Sequence, residues 1–206
     1  MGAVLSLDTL LAQRRIWRGQ PGGRAEAARE PSGHAALDAA LPGGGWPEAA
    51  LTELLLPADG VGELSLLLPT LARLTRAGRD IAWVDPPYRP YAPALARAGL
   101  DLTRLHVVDT GGRQSAWAIE QCLRSQACGA VLGWPRQADD KTLRRLQVAC
   151  ETGQALGFVF RPLSAARNAS PAALRLQFEA GALRVLKCRG GHPPAQPVPW
   201  APATWH

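Results

Sequence analysis

LTELLL at 51–56, PADGVG at 57–62 and ELSLLLPTLARLTRA at 63–77 decide the fold. The first run carries leucine at 51, 54, 55 and 56 and suits a strand buried on both faces. The second holds Pro57, Gly60 and Gly62, residues that break a strand and turn the chain. In the third, apolar side chains return at helical spacing. A strand, a glycine-bearing turn and a helix make the first half of a βαβ unit.

The alternation continues outward. Short apolar runs at 81–84, 105–108, 130–134 and 156–160 read as further strands, and 64–77, 91–98, 115–126 and 141–152 read as the helices between them. Each helix is long enough for a right-handed crossover, so the sheet is expected to be mostly parallel. Residues 174–179 and 183–187 instead alternate apolar with polar about Gly181, which predicts a C-terminal β-hairpin. The expected fold is therefore α/β, with flanking helices and that hairpin.

The turn at 57–62 stands where a phosphate loop would stand. Setting Gly62 as the glycine before the lysine of G-x-x-x-x-G-K-[ST] puts Pro57 at the first glycine, Glu63 at the lysine and Leu64 at the hydroxyl. Gly60 as that glycine restores neither group. Lys141 and Lys187 are the chain's two lysines, and both are remote from the turn. A carboxylate at Glu63 would repel phosphates. Asp85 meets a loose four-apolar-then-acid pattern, but the run ending Leu132, Gly133, Trp134 has no acid to hold a metal. Neither ATP hydrolysis, nor a cofactor, nor a metal is expected, and the chain is read as a non-enzyme.

At 206 residues, 47% hydrophobic and 19% charged, the chain is long enough for one full core and is neither disordered nor membrane-spanning in composition. Asp8, Thr9, Gln13, Arg14 and Arg15 interrupt any signal-like run, so a cytoplasmic protein without membrane contact is expected. The net charge of +6 is almost wholly arginine and fits nucleic acid or an acidic protein surface. Cys122, Cys128, Cys150 and Cys188 show no metal-ligand spacing and read as reduced thiols on buried helix faces. His106 lies in a strand pattern and reads as a packed ring.

The chain divides into an amphipathic helix at 1–17, a linker at 18–32 rich in Gly, Pro, Arg and Glu, a domain at 33–191 and a Pro-rich tail at 192–206. Trp83, Trp117 and Trp134 sit in apolar patterns and are expected in the core or on a pocket floor. Trp17, Trp200 and Trp205 fall in the terminal segments, where proline-flanked aromatics suit a partner's groove.

A family resemblance rests on particular residues. The run Gly33, His34, Ala35, Ala36, Leu37, Asp38 to Leu41, Pro42, Gly43, Gly44, Gly45, Trp46, Pro47, then Thr52 and Glu53, resembles the lead-in of the RecA family. Trp83 to Tyr88 followed by Tyr91, Ala92, Leu95, Gly99, Leu100 and Asp101 resembles a second segment, with Pro87 at the family's catalytic glutamate. Gly129 to Trp134, Asp139, Asp140 and Phe158 to Ala165 resemble the SulA-like branch. Lys187, Cys188, Arg189, Gly190 and Gly191, with the added lead-in, resemble ImuA-type proteins.

The resemblance implies a RecA-like scaffold without ATPase residues, acting in the DNA-damage (SOS) response as an adaptor for translesion synthesis. Its implied partners are an ImuB-like Y-family polymerase relative, indirectly an error-prone C-family polymerase subunit, and RecA. The alternative it carries is a SulA-like division inhibitor that binds FtsZ. In RecA-like folds the loops after the fourth and fifth strands face DNA or neighbouring subunits. Arg161, Arg167 and Asn168, with the basic hairpin end Lys187 and Arg189, are therefore the expected contacts to DNA or a partner, alongside Trp17 and Trp200. The opposing reading is a solvated loop whose arginines cap strand ends.

Overall fold

The computed structural model describes residues 30–202. The expected helix at 1–17 with Trp17, most of the linker, and Trp205 lie outside the described residues.

Among the described residues eight strands form one sheet: β1 (Leu51–Leu56), β2 (Asp80–Val84), β3 (Leu105–Val108), β4 (Cys128–Gly133), β5 (Leu156–Pro162), β6 (Leu174–Glu179), β7 (Ala182–Cys188) and β8 (Val198–Pro199). Their order is β3-β2-β4-β5-β1-β6-β7-β8. The first six run parallel, and β7 and β8 add antiparallel. The helices are α1 (Ala35–Ala40), α2 (Glu63–Arg76), α3 (Ala92–Arg97), α4 (Ser115–Arg124) and α5 (Asp140–Gly153). Strand and helix positions follow the sequence periodicity closely, because each buried strand is an apolar run punctuated by turn formers.

Two cores result. On one face α1, α2 and α3 pack through Leu37, Leu66, Leu71 and Leu95 against Leu54, Trp83, Leu132, Phe158 and the inward side of β6 and β7. On the other, α4 and α5 pack through Ile119, Leu143 and Leu146 against Val84, Val131 and Val159. The helix that leaves β1 thus covers one face, and the helices that leave β3 and β4 cover the other. That divergence opens a crevice at the carboxyl ends of the strands.

The stretch read as linker reaches into the fold at its end. Glu30 bridges Trp46, and Ser32 is fully buried. Trp46 donates its Nε1–H to Thr70 Oγ1 (2.9 Å), and that hydroxyl donates to Pro31 O (2.9 Å), which ties the lead-in to α2. Gly33 (φ +85°) lies so close to Pro69 that a Cβ there would collide with the ring.

The stretch read as a loose tail also belongs to the sheet. β8 pairs with Ala182 and Leu183 of β7, and Trp200 packs edge-on against Phe178 at 5.2 Å, only 8% exposed. Trp200 is therefore a core residue and not a free anchor, because the hairpin supplies the apolar wall that the tail lacks by itself. Trp117, expected inside, is 55% exposed on α4, and its helical position faces away from the buried Ser115, Ala118 and Ile119. His106 is likewise exposed, because β3 is the edge of the sheet, and its ring lies 3.4 Å from Asp80. Cys128 and Cys188 are buried in strands and not on helices; all four thiols are free. No helix among the described residues is long and apolar enough to cross a membrane.

Candidate functional site

The turn after β1 is closed from within by the first residue of the helix that it feeds. Gly60 (φ +80°) and Gly62 (φ +93°) hold the left-handed conformations that such a turn needs, and Gly62 caps α2. The Glu63 carboxylate, 4% exposed, turns back so that its Oε1 accepts the Gly60 N–H at 3.1 Å. A carboxylate at a helix N-terminus is favoured by the helix dipole, so Glu63 sits where an external anion would gain the same energy. Above the turn, a Cβ at Gly62 would strike Pro202 and touch Trp200. Pro57 is exposed, and Leu64 packs at the margin of the core.

Beside this turn, a cleft of about 850 Å³ opens at the carboxyl ends of β1 to β5. Trp134 and Phe160 form its floor, stacked at 4.2 Å and 8° between ring planes. Its outer wall is the loop Asp85–Pro90, whose Tyr88 is 68% exposed. Asp85 adopts φ +51°, and its carboxylate accepts hydrogen bonds from Thr110 N (2.6 Å), Thr110 Oγ1 (2.5 Å) and Ser115 Oγ. Burial pushes its pKa up, but those hydrogen bonds outweigh it and leave the carboxyl below the usual aspartate value. Asp85 thus serves as a clasp that joins β2 to the loop before α4.

The expected contact residues do not gather on one free surface. Arg161 is drawn inward: its side chain is 9% exposed and its Nη1 donates to Glu53 Oε1, while Nη2 donates to Ala138 O at 2.7 Å. Arg175 meets the same carboxylate from the other side, Nε to Oε2 at 2.6 Å, and donates to Ala165 O and Asn168 O. Parallel register places all three on one face of β5, β1 and β6, with Glu53 opposite Val159 and Arg175. Arg161 is therefore not available to DNA; it neutralises a buried charge.

Arg167 and Asn168 remain exposed at the end of the 3-10 turn Leu163–Arg167, although the Asn168 carbonyl is used by Arg175. Lys187 donates to Ser170 O at 2.8 Å, and Arg189 lies 3.7 Å from Glu151. Sequence reasoning missed the role of Glu53, Arg175 and Tyr88. For the first two the signal was present, a charged residue inside each of the strand patterns LTELLL and LRLQFE.

Comparison with known proteins places this architecture. The family model described as "Cell division inhibitor SulA" matches residues 50–157, just over half of the chain. SulA of Photorhabdus laumondii is 32% identical over 113 residues, covering 53% of this chain and 63% of the relative. SulA of Yersinia enterocolitica is 28% identical over 115 residues, covering 55% and 68%. The crystal structure of SulA from Pseudomonas aeruginosa aligns with 56% of this chain and 99% of its own, at 24% identity and a TM-score of 0.46. The chain spans roughly six-tenths of the length of the Photorhabdus relative. The matched residues run from the start of β1 to Gly157 and leave the lead-in, the rest of β5 and β6 to β8 outside. By that match the chain belongs to the SulA family.

Proposed function

We propose that this protein is a non-enzymatic inhibitor of cell division that acts by binding FtsZ. The observation that carries the reading is the family match from β1 to the start of β5, with curated relatives named as cell division inhibitors. The turn after β1 supports the non-enzymatic part: Glu63 supplies the loop's anion, and Trp200 and Pro202 lie over it. Sedimentation of FtsZ with GTP tests the reading directly. Purified protein is expected to lower the pelleted fraction in proportion to its concentration, and unchanged assembly at a molar excess would sink the idea. Titration calorimetry with ATP and Mg²⁺ is expected to give no saturable heat.

A second reading is favoured by one feature. The lead-in at residues 30–47 and the β6–β8 extension lie outside the matched segment, yet they pack on α2 and continue the sheet. These additions suit an ImuA-type, RecA-like adaptor that binds an ImuB-like polymerase relative or RecA in the SOS response, with exposed Arg167 as a DNA or partner contact. Pull-down with each partner separates the readings: capture of the polymerase relative, with FtsZ assembly untouched, selects the adaptor.

A further inference from the structure

We infer that the C-terminal strap, Val198 to Pro202, is a latch: it lifts off the hairpin and the head of α2 as a unit while the parallel sheet stays folded. Its release uncovers the end of β7 and the turn at 57–62 together. The inference stands on the strap's own contacts and is independent of which partner the protein binds.

The strap is lightly tied to the fold. β8 pairs with Ala182 and Leu183, at one end of the seven-residue β7, and one further backbone bond runs from Trp200 N to Gly181 O at 3.0 Å. By comparison, β1 is laddered to β5 along all six of its residues and to β6 along four. The connection at 189–197 forms no helix or strand, and Pro193, Pro194 and Pro197 have no N–H to give to a ladder. β8 lies at the edge of the sheet, so it can leave without breaking another pairing. What holds it is apolar: Val198 and Trp200 are buried in the core of that face, with Trp200 against Phe178.

The closed position carries a penalty that opening removes. The Trp200 Nε1–H is buried and has no acceptor among the described residues. Glu63 Oε2 is buried without a donor, in the residue that follows the Gly62 covered by Trp200 and Pro202. A buried polar atom without a partner has lost its hydration and gained nothing, and opening the strap to water restores it. The indole N–H groups of Trp83 and Trp134 are unpaired as well, but β2 and β4 are laddered on both edges and cannot lift alone. At the other end of the fold Trp46 differs, because its N–H is bonded to Thr70 and fastens the lead-in.

The same contacts couple the two surfaces. Trp200 and Pro202 lie over Gly62 (φ +93°), where a Cβ would strike the proline ring, while Trp200 also packs on the hairpin. One element thus covers both, and a strand that paired along all of β7 would have to displace β8 and bare the turn.

Hydrogen exchange of the full chain under native conditions, read by mass spectrometry on peptides spanning 57–66 and 197–202, tests the latch. Protected amides there should exchange about a hundredfold faster than those of β4 and β5, and low urea should barely change the rate, because lifting the strap exposes little surface. Exchange in both peptides that climbs with urea as steeply as in β4 and β5 would mean opening by global unfolding alone and overturns the proposal. Val198→Ala loosens the strap at a residue away from the turn. It should speed exchange at 197–202 and at 57–66 by a common factor of about tenfold. Acceleration at 197–202 with the turn unchanged would show that the turn opens by itself, and the latch falls.

Discussion

Glu53 is fully buried at the centre of the sheet, and two guanidinium groups depend on it. Replacing it by alanine leaves Arg161 and Arg175 facing each other without a counter-charge in a low-dielectric interior. We expect Glu53→Ala to cost about 3–5 kcal/mol, read as a lowered urea midpoint. Replacing all three residues together by leucine and methionine should recover most of that loss, since the desolvation penalty goes with the charges. A joint replacement no more stable than the single one would show that the triad is not acting as a charge-balanced unit.

Asp85 behaves differently because its partners are neutral. Its folded pKa lies below the unfolded value, so its contribution is complete above the unfolded aspartate pKa of about 4 and is lost as pH falls through the folded value. Asp85→Asn should therefore flatten part of the acid limb of a plot of Tm against pH. An unaltered acid limb would place that proton uptake elsewhere.

At the scale of elements, the short β8 has consequences beyond its two ladder residues. It brings Trp200 onto Phe178 and, with Pro202, onto Gly62 at the head of α2. Trp200→Ala should remove about 3 kcal/mol of stability through the cavity it leaves. It should also expose the 57–62 turn, seen as faster proteolysis at that turn under native conditions. Cleavage unchanged there, with stability lowered, would mean that the turn holds its shape without the strap. The ledge that Trp200 covers is invisible in the tail's own composition, since the apolar wall comes from a hairpin that precedes it in sequence.

Across the whole molecule, the parallel order of β1 to β6 and the opposite placement of α2 against α4 and α5 create one crevice at the strands' carboxyl ends. Its lining comes from loops far apart in sequence: Tyr88 and Arg89 after β2, Arg136 after β4, and the floor from Trp134 and Phe160. The expected contacts at Arg161 and Trp200 fail for a shared reason. Both lie in segments that look solvent-facing by composition and are drawn into the interior by partners on other strands.

The amino-acid sequence by itself determined the succession of strands and helices, the hairpin, and the absence of a lysine and a following hydroxyl from the turn after β1. Those features depend on local periodicity, turn chemistry and residue identity, which act over a few neighbouring positions. Only the tertiary structure decided that Glu53 joins Arg161 and Arg175, and that Trp117 faces outward while Trp200 faces inward. Each of these depends on which strand lies beside which, and that is set by packing between segments as far apart as Glu53 and Arg175.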